Sequence, residues 1–194
     1  MVISNRVVTG PAAEPLDLDQ VRRQVRQIEG IDDTSLLDFI ARVRGCVEDY
    51  LHRSLITQTR EQVMDCFPRG MPIELQFGPV QSLSSVKYLD DSDVEQTESA
   101  ANYETDIYSV PARVQPRFGR IWPVLLPGLN RVRVRYVAGY GASHADVPPG
   151  IKTGMMLIIG TLYEHREDIV VGATAVEIPQ GARAYLLPHV VHGH

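Results

Sequence analysis

The sequence predicts an α+β fold, because helix-like and strand-like hydrophobic periodicities occupy different stretches of the 194-residue chain. Apolar residues recur at helical spacing before residue 54 and again after residue 148. Between these stretches, short alternating segments are separated by glycine, proline and aspartate turns, as in a small antiparallel sheet or barrel. We therefore expect a core of about three helices, a β-rich insertion within it, and an extended C-terminal tail.

Three core helices are predicted from capping residues and apolar stripes. After an extended arm over residues 1–16, Asp17 can cap a helix over Asp17–Gln27. A second helix is expected over Thr34–His52, and a third over Pro149–Arg166, where a proline at the start needs no N–H. The stripe of the second helix comprises Leu36, Leu37, Ile40, Val43, Val47 and Leu51.

The chain is expected to divide into four segments. Residues 1–54 hold the N-terminal arm and the first two core helices, and residues 55–147 form the β-rich insertion. Residues 148–168 supply the third core helix, and residues 169–194 the extended tail. Glycines and prolines in this tail oppose a long helix and leave room for a short turn near Ala182–Leu186.

The composition excludes several classes of protein. Hydrophobic residues make up 44% and charged residues 22% of the chain, which is ordinary for a globular domain. The net charge of -5 argues against a general nucleic-acid binder. Cys46 and Cys66 lack metal-site spacing and are expected as reduced, buried thiols of a cytosolic protein. No signal peptide is visible, and the most apolar run, Met155–Leu162, is too short to cross a membrane.

No motif predicts catalysis, a metal or a cofactor. Gly139–Gly141 lacks the lysine and hydroxyl residue of a phosphate-binding loop, so a plain turn is expected. Asp90–Asp93 lacks the glycine and glutamate that a calcium loop requires. His189, His192 and His194 could hold a metal only weakly, and we expect them to be incidental. An enzyme with an unrecognised site stays as a less favoured alternative.

One charge pattern does suggest an interaction. Residues 88–106 contain seven acidic residues and no lysine or arginine, whereas residues 107–145 contain six arginines and no acid. The two blocks could pair within a hairpin, remain two solvated faces, or meet head to tail between subunits and close a ring. The candidates for contact between subunits are Asp90, Asp91, Asp93, Arg131, Arg133 and Arg135.

The order and spacing of eight sequence segments point to one family. They are Leu16–Val21, Asp32–Ile40, Ala41–Ile56, Ile73–Val80, Val86–Asp90, Arg120–Pro123, Arg133–Gly141 and Val147–Glu167. Together they resemble the head–tail connector proteins, also called adaptor or head-completion proteins, of tailed phages and gene transfer agents. The histidine-rich end, Val190–His194, matches no motif of that family.

The resemblance implies a structural role in a virion neck. Such proteins assemble in the bacterial cytoplasm into a ring, usually twelve-fold, beneath the portal protein. The ring extends the DNA channel after packaging and offers a surface to a downstream head–tail or tail-terminator protein. The family has no catalysis and no cofactor, and DNA passes close to it without specific binding. Another phage neck or tail-completion protein is the main alternative.

The C-terminal segment is the candidate contact with the portal. It is apolar for a terminal segment, and irregular apolar tails usually need a partner surface. In similar connectors this segment reaches the portal, so Tyr185, Leu186 and Leu187 are expected to anchor there. The alternative is that the tail packs back on the β-rich insertion of its own protomer.

Overall fold

The computed structural model describes residues 3–25, 33–164 and 178–191. Within these ranges the chain has four α-helices and two antiparallel sheets, which confirms the predicted α+β class. It forms two compact units, here called the β unit (residues 1–10 and 57–139) and the helical unit (residues 11–56 and 140–192). The expected N-terminal arm contributes a strand to the β unit.

The helical unit is built on apolar stripes at helical spacing. Its helices are α1 (Leu18–Val25), α2 (Asp33–Leu51), α3 (Pro149–Glu164) and α4 (Gln180–Leu186). The predicted ends of the first and third helices, at Gln27 and Arg166, lie outside the described residues. The fully buried residues of α2 and α3 include Leu36, Ile40, Val43, Val47, Leu51, Ile151, Met155 and Ile159.

The prediction that the whole apolar stripe of α2 faces the core is wrong for one residue. Leu37 is 47% exposed, whereas its neighbour Leu36 is fully buried. Consecutive residues of a helix point about 100° apart, so both cannot face a narrow core. Leu37 therefore lies on the outer side of α2.

The described part of the C-terminal segment folds back on the helical unit. Residues expected as an extended tail with a short turn form α4 and then a 3₁₀ turn over Leu187–His189. Close approach to α3 occurs at Gly154, where a Cβ atom would lie 2.9 Å from the Leu186 side chain. Arg53 also donates through Nε to the His189 carbonyl at 2.6 Å. Residues 169–177 of the expected tail lie outside the described ranges.

The β unit contains two sheets around one core. Its strands are β1 (Ile3–Thr9), β2 (Gln58–Met64), β3 (Ile73–Leu75), β4 (Val80–Leu89), β5 (Glu95–Thr97), β6 (Tyr103–Asp106), β7 (Ala112–Pro116) and β8 (Val132–Ala138). The five-stranded sheet has the order β1-β2-β8-β4-β5, and the three-stranded sheet the order β3-β7-β6. Side chains from both sheets bury one another in a shared hydrophobic cluster.

Strand β8 separates the core from the charged face of the larger sheet. Val132, Val134, Tyr136 and Ala138 are fully buried, and the residues between them point to the opposite face. Strand β2 pairs with β8 in a continuous register, whereas the pairing of β4 with β8 contains two register shifts.

A buried phenol links β8 to distant parts of the β unit. Tyr136 donates its hydroxyl to the Gln76 carbonyl and accepts from Asn5 Nδ2 at 2.7 Å. Arg60 in turn donates to Asn5 Oδ1 at 3.1 Å. Burial raises the pKa of Tyr136 to about 12, because it disfavours the phenolate more than Asn5 and Arg60 favour it. The phenol therefore stabilises the sheet in its neutral form.

Replacing Tyr136→Phe should lower the free energy of unfolding by about 1–3 kcal/mol, because the Gln76 carbonyl and the half-buried Asn5 amide lose their hydrogen-bond partner on a buried side chain. Urea denaturation measures this. In the parent, the phenol ionises first in the unfolded chain, from pH 10.0, so its contribution is lost as the pH rises towards about 12. The stability gap between parent and variant should shrink over that window. Tyr108→Phe, at an exposed tyrosine, is the control, and an equal loss in both variants would contradict the interpretation.

A second prediction concerns the contact between α3 and α4. Gly154→Ala should destabilise the helical unit by about 1–3 kcal/mol, because the added methyl group overlaps Leu186. Gly160→Ala is the matched control in the same helix. Nothing lies within 4 Å of its added Cβ atom, so it should be neutral or stabilising by up to about 1 kcal/mol. Thermal melts of both variants, and of Gly154→Ala with Leu186→Ala, test this. If the destabilising effects of Gly154→Ala and Leu186→Ala simply add in the double variant, the overlap between the added methyl group and Leu186 is contradicted.

Candidate interaction surfaces

A buried glutamate joins three strands on the charged face of the five-stranded sheet. Arg6, Glu61 and Arg135 lie directly opposite one another on β1, β2 and β8. Arg135 Nη2 lies 2.8 Å from Glu61 Oε1, and Arg6 Nε lies 3.0 Å from Oε2. Burial alone would raise the pKa of Glu61, but the hydrogen bonds from the two guanidinium groups outweigh it and lower the pKa. The carboxylate is therefore held ionised between two cations.

The next arginines along β8 are also paired within the chain. Arg133 Nη1 lies 3.3 Å from Glu95 Oε2, and Lys87 Nζ lies 2.6 Å from the other oxygen of Glu95. Arg131 Nη2 lies 2.9 Å from Asp93 Oδ1. Most of these pairs are solvent-exposed, and such pairs contribute little to stability.

The acidic residues at the tip of the β4–β5 hairpin have different roles. The Asp90 carboxylate accepts hydrogen bonds from Gln96 Nε2 and from the backbone N–H groups of Val94 and Ser92. These bonds, with that from Gln96 first, lower the pKa of Asp90. Asp91 is exposed beside this turn. Asp90 therefore shapes the hairpin tip, and Asp91 faces solvent.

The six charged candidates do not form one cluster. Arg131 pairs with Asp93, whereas Arg133 and Arg135 pair with glutamates outside the candidate set. The Arg131–Asp93 and Arg133–Glu95 pairs are the pairing within a hairpin that the charge pattern left open, whereas Glu61, the partner of Arg135, lies outside the acidic block 88–106. Contact of these residues with a neighbouring subunit stays a prediction, and it would have to share or exchange the pairs described here.

The three candidate portal residues differ in their environment. Leu186 is fully buried in the helical unit beside Gly154, whereas Tyr185 and Leu187 are exposed. The adjacent His189 lies over Gly150, and burial followed by the charge of Arg53 lowers its pKa. His192 and His194 lie outside the described residues. The described segment therefore offers two apolar side chains to a partner and buries the third.

The most apolar exposed surface was not identified from the sequence as a site. Residues 117–131, here called the apolar loop, connect β7 to β8 without regular secondary structure. Within it, residues 121–130 contain no charged side chain. This lack of charge is visible in the sequence, where Arg120–Pro123 contributes only to the family resemblance. The exposed apolar residues of the loop are Phe118, Ile121, Val124, Leu126 and Leu129.

The loop is held in place by an aromatic anchor. Trp122 is buried and stacks on Phe67, with ring centroids 4.7 Å apart and planes at 6°. Two open grooves of about 340 and 450 Å³ flank the loop, and both are lined in part by Tyr88. The first groove carries Asp90 and Asp91, and the second carries Glu98 together with Arg120. The anchored apolar loop is thus bordered by one acidic groove and by one groove of mixed charge.

The two cysteines are not buried as expected, since Cys46 is half-buried and Cys66 is exposed. Within residues 3–25, 33–164 and 178–191, no three histidine, cysteine, aspartate or glutamate side chains are grouped so that they could hold a metal ion. None of the helices in these ranges has the length and hydropathy needed to cross a bilayer.

The fold is similar to that of solved structures of gene transfer agent (GTA) particles. A chain in the neck of an empty GTA particle computed with C6 symmetry superposes with a TM-score of 0.79 at 22% identity, over 98% of this chain and 97% of that chain. A chain in the virion of a native GTA particle has a TM-score of 0.78 at 20% identity, over 98% and 96%. A chain in the neck of a native GTA particle computed with C12 symmetry gives 0.76 at 21%, over 100% and 97%. No protein-family model and no curated protein sequence matches the chain.

The charged face of the sheet leads to a pH-dependent prediction. Glu61→Gln should lower the free energy of unfolding at neutral pH by about 1–2 kcal/mol, because Arg6 and Arg135 lose their shared countercharge. The folded-state pKa of Glu61 is lowered, so its contribution is present above the ordinary value of 4.5 and is lost as the pH falls below it. The stability gap should therefore close in acid.

Glu104→Gln is the control for this experiment, since Glu104 is exposed and bonded to the neutral side chain of Gln115. Urea denaturation at a series of pH values measures both variants against the parent. A gap for Glu61→Gln that does not depend on pH would contradict the role of its charge.

Proposed function

We propose that this chain is a head–tail connector protein of a phage-like particle. It forms a ring beneath the portal, extends the DNA channel and offers the attachment surface for the next tail-side protein. The observation that carries this proposal is its similarity in fold, over nearly the whole of both chains, to chains of GTA particle necks and virions. The sequence resemblance to connector proteins supports the same role independently of the superposition.

The chemistry of the described surface fits a structural protein that carries no reaction. The ionisable side chains that are most strongly perturbed serve local structure. Asp106, for example, has its pKa lowered by hydrogen bonds from Ser109 and Arg113 that close the loop after β6. Glu61 joins three strands in the same way. The role of such a protein depends on its surfaces and on the shape of its assembly.

The proposed portal contact uses α4 and the turn that follows it. Tyr185 and Leu187 are exposed, whereas Leu186 is buried between α4 and α3. We propose that the two exposed side chains contact the portal and that Leu186 fixes the orientation of the helix that presents them. Aromatic and apolar side chains on a rigid element lose little conformational entropy on binding.

The ring surrounds DNA without recognising its sequence. The net charge of -5 fits a channel that must release the genome, because affinity for phosphate increases with each cationic contact. The cationic side chains of β8 are paired with carboxylates of the same chain, which reduces what they can offer to phosphates. The protein is then a component of the particle neck that is assembled in the bacterial cytoplasm.

The test is reconstitution with the portal protein of the same particle. We expect the parent chain to bind the portal as a ring that electron microscopy can resolve. Tyr185→Ala combined with Leu187→Ala should weaken binding by about tenfold or more, since two exposed contact side chains are truncated. Leu37→Ala, at an exposed leucine of α2, is the matched control and should bind normally.

Three other outcomes have different meanings. A parent chain that binds only a tail-side component would place it elsewhere in the neck. Binding to neither component would overturn the proposed function. Normal portal binding by the Tyr185→Ala, Leu187→Ala variant would leave the connector role in place and remove α4 from the contact.

A further inference from the structure

The apolar loop has the properties of a docking surface. Loops as long as residues 117–131 without secondary structure are uncommon in compact domains and are usually functional. Its exposed side chains, such as Val124 at 79% exposure, are not needed for the core, because Trp122 already anchors the loop to Phe67. Its stretch 121–130, which has no charged residue, resembles the centre of a protein–protein interface.

A second unpartnered surface lies on the same unit, at the edge strand β1. Within the described residues, β1 pairs only with β2, so the backbone groups of its outer side have no strand beside them. Edge strands are normally protected by short length, proline, charged side chains or a bulge. Strand β1 is seven residues long and has no proline or lysine, its one charged residue is Arg6, and Ile3 and Val7 are exposed on it. Its register is regular as far as Val7, where a bulge begins.

The two surfaces lie at opposite sides of one sheet. The apolar loop borders grooves lined by Tyr88 of β4 and by the β4–β5 turn. The order β1-β2-β8-β4-β5 places β4 three strands from β1, or about 14 Å at the usual strand spacing. A contact between two different surfaces joins copies head to tail and generates a ring or a filament, whereas a two-fold dimer would use one surface twice.

The charges around the two surfaces are complementary. Arg6 projects from β1 with 64% of its side chain exposed, although one side of its guanidinium binds Glu61. The groove between the apolar loop and the β4–β5 turn carries Asp90 and Asp91, whereas the second groove holds both Glu98 and Arg120. The β1 edge therefore combines apolar side chains with a cation, and the first groove combines apolar side chains with anions.

We propose that the apolar loop of one copy packs against the β1 edge of the next copy, so that the copies join head to tail. Arg6 of one copy then faces the groove that Asp90 and Asp91 line on its neighbour. This inference rests on the proposed ring function and names the contact that would build the ring. It differs from the expected pairing of the acidic and arginine blocks, which the chain largely satisfies internally.

The test measures self-association of the full chain without any portal. Sedimentation velocity at increasing protein concentration should show species larger than a dimer. Val124→Asp and Val7→Asp should each weaken self-association by about tenfold or more, because each places a charge in the apolar contact. Leu37→Asp, at an exposed leucine of α2, is the matched control. Circular dichroism and thermal melts check that each variant is folded.

Mixing the variants tests the head-to-tail arrangement. Val124→Asp retains an intact β1 edge, and Val7→Asp retains an intact loop. An equimolar mixture should therefore form dimers that cannot grow further. Dimers absent from the mixture, or variants that assemble like the parent, would overturn the proposal.

Cross-linking keeps the proposal testable if a charged variant fails to fold. In a background with Cys46→Ala and Cys66→Ser, the combination of Val7→Cys and Val124→Cys should give a ladder of disulfide-linked multimers at millimolar concentration when oxidised glutathione is added as the oxidant. No ladder, or equally efficient linkage by Val7→Cys alone, would overturn it. Normal self-association of Val124→Asp together with lost portal binding would assign the loop to another protein instead. A protein that forms the ladder but does not bind the portal would contradict only the proposed function.

Discussion

The alternation of side chains along β8 is the constraint on which the β unit depends. The strand lies between β2 and β4 in the middle of the larger sheet, and it sends Val134 and Tyr136 into the core. Arg133 and Arg135 are thereby placed on the opposite face. A slip of one residue would expose the apolar set and bury the arginines, so the register is strongly specified. The Tyr136 hydroxyl specifies the register further, because its hydrogen bonds form only when Gln76 and Asn5 are correctly placed.

The same alternation explains why the charged residues of this chain have a mainly local role. On the outer face, the register places Glu61 of β2 directly opposite both Arg135 and Arg6. Arg133 lies opposite Val63 and Lys87 and reaches Glu95 on β5 instead. Charges that are already paired contribute little further affinity to an interface, although they can still select the partner. The surfaces left for association are the apolar ones, namely the loop anchored by Trp122 and the edge of β1. This division agrees with the depletion of charge at interface centres.

The C-terminal segment shows how one small residue sets the position of a helix. Gly154 lets α4 approach α3 closely, and Leu186 fills the space that a side chain at Gly154 would occupy. This contact orients Tyr185 and Leu187 outward. An apolar segment interrupted by glycine and proline can therefore be both part of the protomer core and a surface for a partner, since alternate side chains of a short helix face different ways.

What the sequence determined by itself was local periodicity. It was sufficient for the α+β class, for α2 and α3 almost to the residue, and for the alternating strand that became β8, because each depends on residues close together in the chain. The error at Leu37 arose where a stripe of apolar residues is wider than the buried face.

Of the candidate surfaces, the sequence identified the charged blocks and the apolar residues of the C-terminal segment. It missed the apolar loop, because a charge-free segment with prolines has the same composition whether it is buried or exposed.

Only the tertiary structure decided that β1 pairs with β2, that Glu61 binds two arginines and that Leu186 is buried while Leu187 is not. These outcomes depend on the register between strands and helices that are far apart in sequence, and no local pattern encodes that register.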